Sequence, residues 1–267
     1  MTPSTILVTW DFTDVSKYAL EHAVRIARMV NNSIQIIHIL DKNADELQIQ
    51  VNLQSIANNC DATHGIKPGL IIKKGSIFTT ISEVANNIKA SMVIMGTHGM
   101  QGFQKLTGSW ALKVLAGSYV PFFVVQDLPT NDYLQKIVVP INSKSENKEK
   151  LPWIIYLAKH YRSEILIFKD GHSSQHLSAK SNQNIQFLKT ELDNKGIKYS
   201  IQSNNSKKSF AEASIDYAQQ SGANLIAVMT SPKTGFKEYM MGISEQHIIA
   251  NNHKIPVMCI NPQKINN

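Results

Sequence analysis

Thr5-Ile6-Leu7-Val8-Thr9-Trp10-Asp11 is a β-branched, apolar run that ends on an acid. About 131 residues on, Lys136-Ile137-Val138-Val139-Pro140-Ile141-Asn142 repeats its shape, with Asn in place of the acid. A run that is apolar without alternation reads as a strand buried on both faces, and such strands build parallel sheets. The two halves also close alike. Val120-Pro121-Phe122-Phe123-Val124-Val125 ends the first and Ile255-Pro256-Val257-Met258-Cys259-Ile260 ends the second. In both, Pro opens a short apolar strand, where no ladder donor is needed. Between these marks Ser91-Met92-Val93-Ile94-Met95-Gly96 matches Ala223-Asn224-Leu225-Ile226-Ala227-Val228-Met229-Thr230 in pattern. The chain therefore reads as a duplication whose second copy has drifted. Its seam is the polar stretch Leu128-Pro129-Thr130-Asn131-Asp132. One domain is expected over 1–128 and the second copy over 135–267.

Periodicity fills in the rest. Val15, Ala19, Ala23, Ile26, Ala27 and Val30 recur at helical spacing after the first strand, with Thr13 or Asp14 as the cap. A second strand is expected over 33–40, a polar helix over 44–59, a third strand over 70–73, a helix over 77–89 and a fourth strand over 92–95. A glycine-rich loop and a helix over 108–117 lead to the fifth. The second half repeats the order: strands at 136–141, 164–168, 198–202, 224–229 and 256–260, helices at 149–161, 178–195, 209–221 and 242–252. The expected fold is α/β: two tandem doubly wound domains, each a five-stranded parallel sheet with helices on both faces. The last strand of each half is apolar and would be an exposed edge unless covered. The halves are accordingly expected to pair through those strands as a pseudo-dimer.

Composition excludes several classes. The chain has 267 residues, 43% of them hydrophobic and 18% charged, enough apolar matter to fill cores, so disorder is not expected. No apolar run is long enough to span a membrane. The opening MTPSTILVTWDF has neither a basic region nor a cleavage-like site, so no secretion signal is expected. Cys60 and Cys259 are too few to staple a chain of this size, and a reducing, cytoplasmic setting fits. The formal charge of +7 invites a nucleic-acid reading, but the basic residues are scattered, with pairs such as Lys73-Lys74 and no run, so nucleic acid is not the expected partner.

In a doubly wound sheet, ligands sit at the carboxyl ends of the strands where the order reverses. That rule points to Thr9 to Asp11, Ile39 to Asp41, and Gly96 onward. After the fourth strand comes Gly96-Thr97-His98-Gly99-Met100-Gln101-Gly102-Phe103-Gln104-Lys105-Leu106-Thr107-Gly108-Ser109. Glycines let backbone approach a phosphate closely, and a helix starting at Ser109 would attract an anion with about 0.3–1 kcal/mol from its dipole, plus hydrogen bonds. The Thr97 and Ser109 hydroxyls can add donors or touch a metal. The plainer alternative is a glycine-rich turn with a serine cap. No GxxxxGK[ST] occurs, no GxGxxG follows the first strand, and nothing matches the kinase set.

The strand ending on Asp11 with Thr13 two residues on, the His38-Ile39-Leu40-Asp41 end of the second strand, and the Gly96-x-x-Gly99 loop followed by Gly108-Ser109 together resemble the universal stress protein family. The tandem plan resembles its two-domain members. The likeness is strong in the first half and weak in the second. It implies a five-stranded parallel α/β sandwich that often dimerises through the last strand. It also implies an adenine nucleotide, ATP with Mg, as the candidate ligand, since many members bind ATP and others do not. Carried over by position, Asp11 would contact the ribose or adenine end and Ile39 would meet adenine through its backbone. Gly96, Thr97, Gly99, Gly108 and Ser109 would hold the phosphates, with the Trp110 N–H close by. The stretch between Gly99 and Gly108 is one residue shorter than the family's usual spacing, Met100 stands where a basic residue is common, and Thr9 stands for the usual Pro. Lys105 remains as a candidate phosphate partner.

The second half departs further. Asn142 replaces the acid, Thr230 and Lys233 replace the two loop glycines, Pro232 intrudes, and Gly242 is followed by Ile243. This half is read as keeping the fold and losing the ligand. His172 and His176 are four apart but lie in a loop-like stretch with no third ligand, so no metal is expected. His38 reads as a packed residue and the two cysteines as ordinary thiols. Trp10 either covers a nucleotide edge or fills the cleft between the domains. With a homodimer as a candidate assembly, four functions compete: a nucleotide-binding stress or regulatory protein; a scaffold or small-ligand module that acts through unknown protein partners; a nucleic-acid binder, resting only on charge; and an enzyme. For the last, no catalytic base pairs with a nucleophile and there is no arginine finger, which leaves at most a slow ATPase run by Mg and backbone donors.

Overall fold

The computed structural model describes residues 4–97, 118, 120–130, 134–143, 149–171, 175–229, 231–232, 239–240 and 243–261. The chain divides into two compact units, Met1–Pro129 and Thr130–Asn267.

In unit 1 the elements run β1 (Thr5–Thr9), α1 (Asp14–Val30), β2 (Ser33–Leu40), α2 (Glu46–His64), β3 (Gly69–Lys74), α3 (Ile77–Asn87), β4 (Met92–Gly96) and β5 (Phe122–Val125). The strands lie side by side in the order β3-β2-β1-β4-β5, all parallel. Val8 is in register with Ile36 of β2 on one side and Ile94 of β4 on the other. The chain thus winds outward to β3 and returns to β4, so the order reverses between β1 and β4. Ile6, Leu7 and Val8 are consecutive and all fully buried, which requires cover on both faces of β1. That is why the run lacks alternation.

The helices have local causes. α1 buries Val15, Ala19, Ala23, Ile26 and Ala27 with Leu20 and Val24, and stops at Asn31, whose left-handed backbone turns its N–H to the Ala27 carbonyl. α2 is held at its start by Asp45, whose side chain accepts from the Gln48 N–H at 3.1 Å, and ends on Gly65 at φ 68°. It runs five residues beyond the expected end because nothing before Gly65 supplies a left-handed stop. The helix expected over 108–117 lies outside the described residues.

Unit 2 repeats the plan with β6 (Lys136–Ile141), α4 (Leu151–Tyr161), β7 (Glu164–Lys169), α5 (Gln175–Asn194), β8 (Tyr199–Ser203), α6 (Phe210–Gln220), β9 (Leu225–Met229), α7 (Ile243–Ile249) and β12 (Val257–Ile260). Its parallel strands follow the order β12-β9-β6-β7-β8, reversing between β6 and β9. α6 starts in a reciprocal capping box between Ser209 and Glu212. The prolines before the last strands behave as expected of residues without an N–H. Pro121 offers only its carbonyl, to Val93 N at 2.9 Å, and Pro256 does the same to Ile226 N at 3.0 Å.

Two features of unit 2 were not anticipated. The stretch after β9 is not simply a loop: β10 (Ser231–Pro232) and β11 (Tyr239–Met240) pair antiparallel. And α7 ends at Ile249, three residues early. Asn251, buried, donates to the Ile248 and Ile255 carbonyls at 2.9 Å and accepts from Ile255 N at 3.0 Å, so its side chain takes over the bonding that a longer helix would use.

Candidate functional site at the strand ends of unit 1

β1 leaves the sheet at Trp10, whose N–H still reaches the Ile37 carbonyl of β2 at 2.9 Å. The chain then turns sharply into α1. Asp11 holds that turn. Its Oδ1 accepts from Thr13 N at 3.0 Å, from Thr13 Oγ1 at 2.5 Å and from Ser16 Oγ, while its own N–H donates to Ser16 Oγ at 3.0 Å. Thr13 occupies the helix N-cap position, but its hydroxyl is turned to Asp11 and caps nothing. The cap expected of Thr13 or Asp14 is therefore replaced by an Asx-type turn from Asp11. Between them Phe12 sits at φ 64°, a left-handed conformation for a bulky residue, and the residue is 39% exposed.

An aromatic group covers the ends of β1 and β2. Phe12 meets Trp10 edge-on, centroids 6.2 Å apart, and His38 at 5.1 Å. A hydrogen bond of 2.8 Å joins His38 Nδ1 to the Trp10 carbonyl. His38 is thus a packed residue that pins the end of β1 to β2. Ile39, half-buried, follows it in register with Lys73 of β3.

At the end of β4, Gly96 is required by close packing. A β-carbon there would lie 2.1 Å from the Val15 carbonyl oxygen in the first turn of α1. Close packing against α1, independent of any phosphate, therefore requires glycine here. Thr97 continues the strand, its N–H on the Val125 carbonyl at 2.9 Å, and is 7% exposed.

Among the described residues, the buried side-chain atoms Trp10 Nε1, Thr97 Oγ1 and Ser181 Oγ have no hydrogen-bond partner. Two of these stand at the ends of β1 and β4, the strands between which the order of unit 1 reverses. An unmade hydrogen bond of this kind costs about 1–3 kcal/mol.

Of the expected ligand residues, Asp11, Ile39, Gly96 and Thr97 stand at the ends of three adjacent strands. Gly99, Gly108, Ser109 and Trp110 lie outside the described residues, as do Met100 and Lys105. Trp10 and Phe12 are the functional candidates that the motifs did not mark. Nothing in the sequence shows that an indole N–H is left without a partner. A groove of about 620 Å³ lies elsewhere, along α2 and the amino end of β3, lined among others by Glu46, Gln50, Lys67 and Leu70. It contains none of these residues.

The buried titratable groups with large shifts are structural. His22 of α1 is buried with Nε2 3.1 Å from the Asp127 carbonyl, and burial pushes its pKa down to about 4. Burial, with Glu21 and Asp61 nearby, pushes the Cys60 thiol up to about 11, which leaves it unreactive. Burial also raises the Cys259 thiol well above its ordinary value. Among the described residues no three His, Cys, Asp or Glu side chains gather as metal ligands.

At the matching end of β6 in unit 2, side chains bond to backbone carbonyls. Lys150, 1% exposed, donates from Nζ to the Pro140 carbonyl at 2.6 Å, and Asn184 Nδ2 donates to the Asn142 carbonyl at 3.0 Å. Thr230, Lys233 and Gly242 lie outside the described residues.

A parallel, doubly wound α/β unit with polar groups waiting at its order reversal belongs to the class of folds that takes ligands at the strand ends. The universal stress protein family model matches residues 3–126. A universal stress protein of Methanocaldococcus jannaschii is 26% identical over 137 residues, covering 45% of this chain and 81% of the relative. A solved universal stress protein of Archaeoglobus fulgidus shares the fold over 97% of both chains, with a TM-score of 0.76 and 17% identity. A solved universal stress protein in complex with cAMP is 22% identical, covers 46% of this chain and 97% of its own, and has a TM-score of 0.40. The first unit belongs to the universal stress protein family, whose model it matches, and the second repeats its fold. No helix among the described residues is long and apolar enough to cross a membrane.

Proposed function

We propose that unit 1 is the nucleotide-binding unit of a stress-response regulatory protein, and that it takes an adenine nucleotide, ATP with Mg²⁺, at the ends of β1, β2 and β4. The observation that carries this reading is the pair of buried, unpartnered atoms Trp10 Nε1 and Thr97 Oγ1 on either side of the order reversal. Buried polar groups are nearly always satisfied, and an exception at a strand end is where a ligand would complete the set. Ile39 would meet the adenine through its backbone and Asp11 would face the ribose. Gly96 and Thr97, with Gly99, Gly108, Ser109 and Trp110, would serve the phosphates. The Thr97 hydroxyl is of the type that binds a phosphate oxygen or a phosphate-bound Mg²⁺. Any hydrolysis would rest on Mg²⁺ and backbone donors alone and would be slow.

A second reading, a scaffold or small-ligand module that acts through partner proteins, is favoured by one feature. Asp11 Oδ1 already accepts three hydrogen bonds from its own turn, which lessens its value as a ribose acceptor. One experiment separates the two. The purified protein is denatured and the released small molecules are identified by chromatography and mass. The nucleotide reading expects an adenine nucleotide. No release, together with no ATP binding at millimolar concentration, would favour the partner module.

A further inference from the structure

We infer that Trp10 is itself a ligand residue of unit 1, its indole N–H donating to an acceptor on the base of a purine nucleotide, and that Phe12 is the cover that moves to admit that base. The inference rests on the nucleotide reading above and adds to it the residue that reads the base.

The indole has one polar atom, and that atom can only donate. A hydroxyl such as that of Thr97 can rotate to improve its surroundings, but the indole N–H is fixed by the ring. Trp10 is 4% exposed and its Nε1 has no partner. Its backbone is nonetheless anchored twice, by its N–H on the Ile37 carbonyl at 2.9 Å and by its carbonyl against His38 Nδ1 at 2.8 Å. A rigidly held donor that satisfies nothing inside the protein is suited to an acceptor from outside.

Phe12 has the opposite character. It is a large apolar residue in a sparsely populated backbone conformation, φ 64°, and it gains little burial for this, with 39% of its surface exposed. Its ring lies edge-on to Trp10 and beside His38. A planar heterocycle in the place of that ring would keep the aromatic contacts, and it could also offer the indole what a benzene ring cannot, a ring nitrogen with a lone pair. A purine has both properties, and Ile39, the expected backbone contact for the base, directly follows His38.

The test uses the full chain labelled with ¹⁵N. Its three tryptophans, Trp10, Trp110 and Trp153, give three indole N–H signals, assigned with Trp10→Phe or, if that variant does not fold, by elimination with Trp153→Phe and Trp110→Phe. ATP is titrated in, and its affinity for the parent and for Trp10→Phe is measured by calorimetry. The inference expects the Trp10 indole proton to move downfield and exchange more slowly with solvent as ATP binds. It also expects Trp10→Phe to lose about tenfold or more in affinity, the loss of roughly one hydrogen bond. Phe12→Gly should speed association. If ATP binds the parent while the Trp10 signal stays in place, or if Trp10→Phe binds as the parent does, the inference is overturned and the nucleotide reading stands. If ATP fails to bind the parent at millimolar concentration, both fall.

Discussion

Gly96 shows how one residue can be required for a reason that its motif hides. The Gly-x-x-Gly pattern suggests a phosphate loop, yet the first glycine is fixed by the Val15 carbonyl, 2.1 Å from where a β-carbon would stand. Backbone cannot give way as a flexible side chain can, so Gly96→Ala must push α1 and β4 apart. The expected cost is about 1–3 kcal/mol, the usual range for overpacking. It would be read as a lower urea midpoint with unchanged slope. An unchanged midpoint would mean that the approach of α1 to β4 is looser than described. Asp11 is the reverse case. The sequence marks it as an acceptor for a sugar, whereas its Oδ1 takes three hydrogen bonds that shape the β1–α1 turn. No motif carries such a local network, because Ser16 belongs to the following helix.

At the scale of the element, α1 is tied to the end of β5 through His22. Its imidazole is buried and kept neutral, with a pKa near 4 in the folded chain against an ordinary 6.5. Between those values the unfolded chain binds a proton that the folded chain does not, so stability falls as pH drops from about 6.5 towards 4. The shift corresponds to at most about 3 kcal/mol. His22→Gln keeps a donor for the Asp127 carbonyl and removes the titration. Denaturant midpoints at pH 7, 5.5 and 4.5 should fall less steeply in that variant than in the parent; equal slopes would remove His22 from the acid response.

The strands were the elements most legible in the sequence, because burial on both faces leaves an unbroken apolar run that survives drift. β6 begins and ends where periodicity placed it, at Lys136–Ile141. Helix ends were harder. α2 buries only Leu53, Ala57 and Cys60, so its pattern is faint and its stop was set by Gly65 alone. α7 is cut short by a side chain, Asn251, that no periodicity reports. The β10–β11 pairing depends on contact between two segments of which neither looks like a strand. At the candidate site, the strand ends followed from topology and the Asp11, Ile39, Gly96 and Thr97 positions from motif. The unpartnered Trp10 and the left-handed Phe12 followed from neither, since both depend on how a turn closes in space.

For the molecule as a whole, the two units share a fold but differ at their ligand poles. Unit 1 ends β1 and β4 in unpartnered buried polar atoms. In unit 2, Lys150 and Asn184 bond to the Pro140 and Asn142 carbonyls at the end of β6, and Ser231–Pro232 pairs with Tyr239–Met240 beyond β9, where a proline supplies no N–H. The proposed function therefore expects a single nucleotide per chain, in the first unit. Calorimetric titration of ATP against the parent, Gly99→Val and Lys233→Ala tests this most directly. A micromolar site is worth roughly 8 kcal/mol, and a bulky side chain at Gly99 should remove much of that by keeping backbone from the phosphates. The account predicts one site per chain, lost or severely weakened in Gly99→Val and unchanged in Lys233→Ala. Equal loss in both variants, or full binding by Gly99→Val, would contradict it.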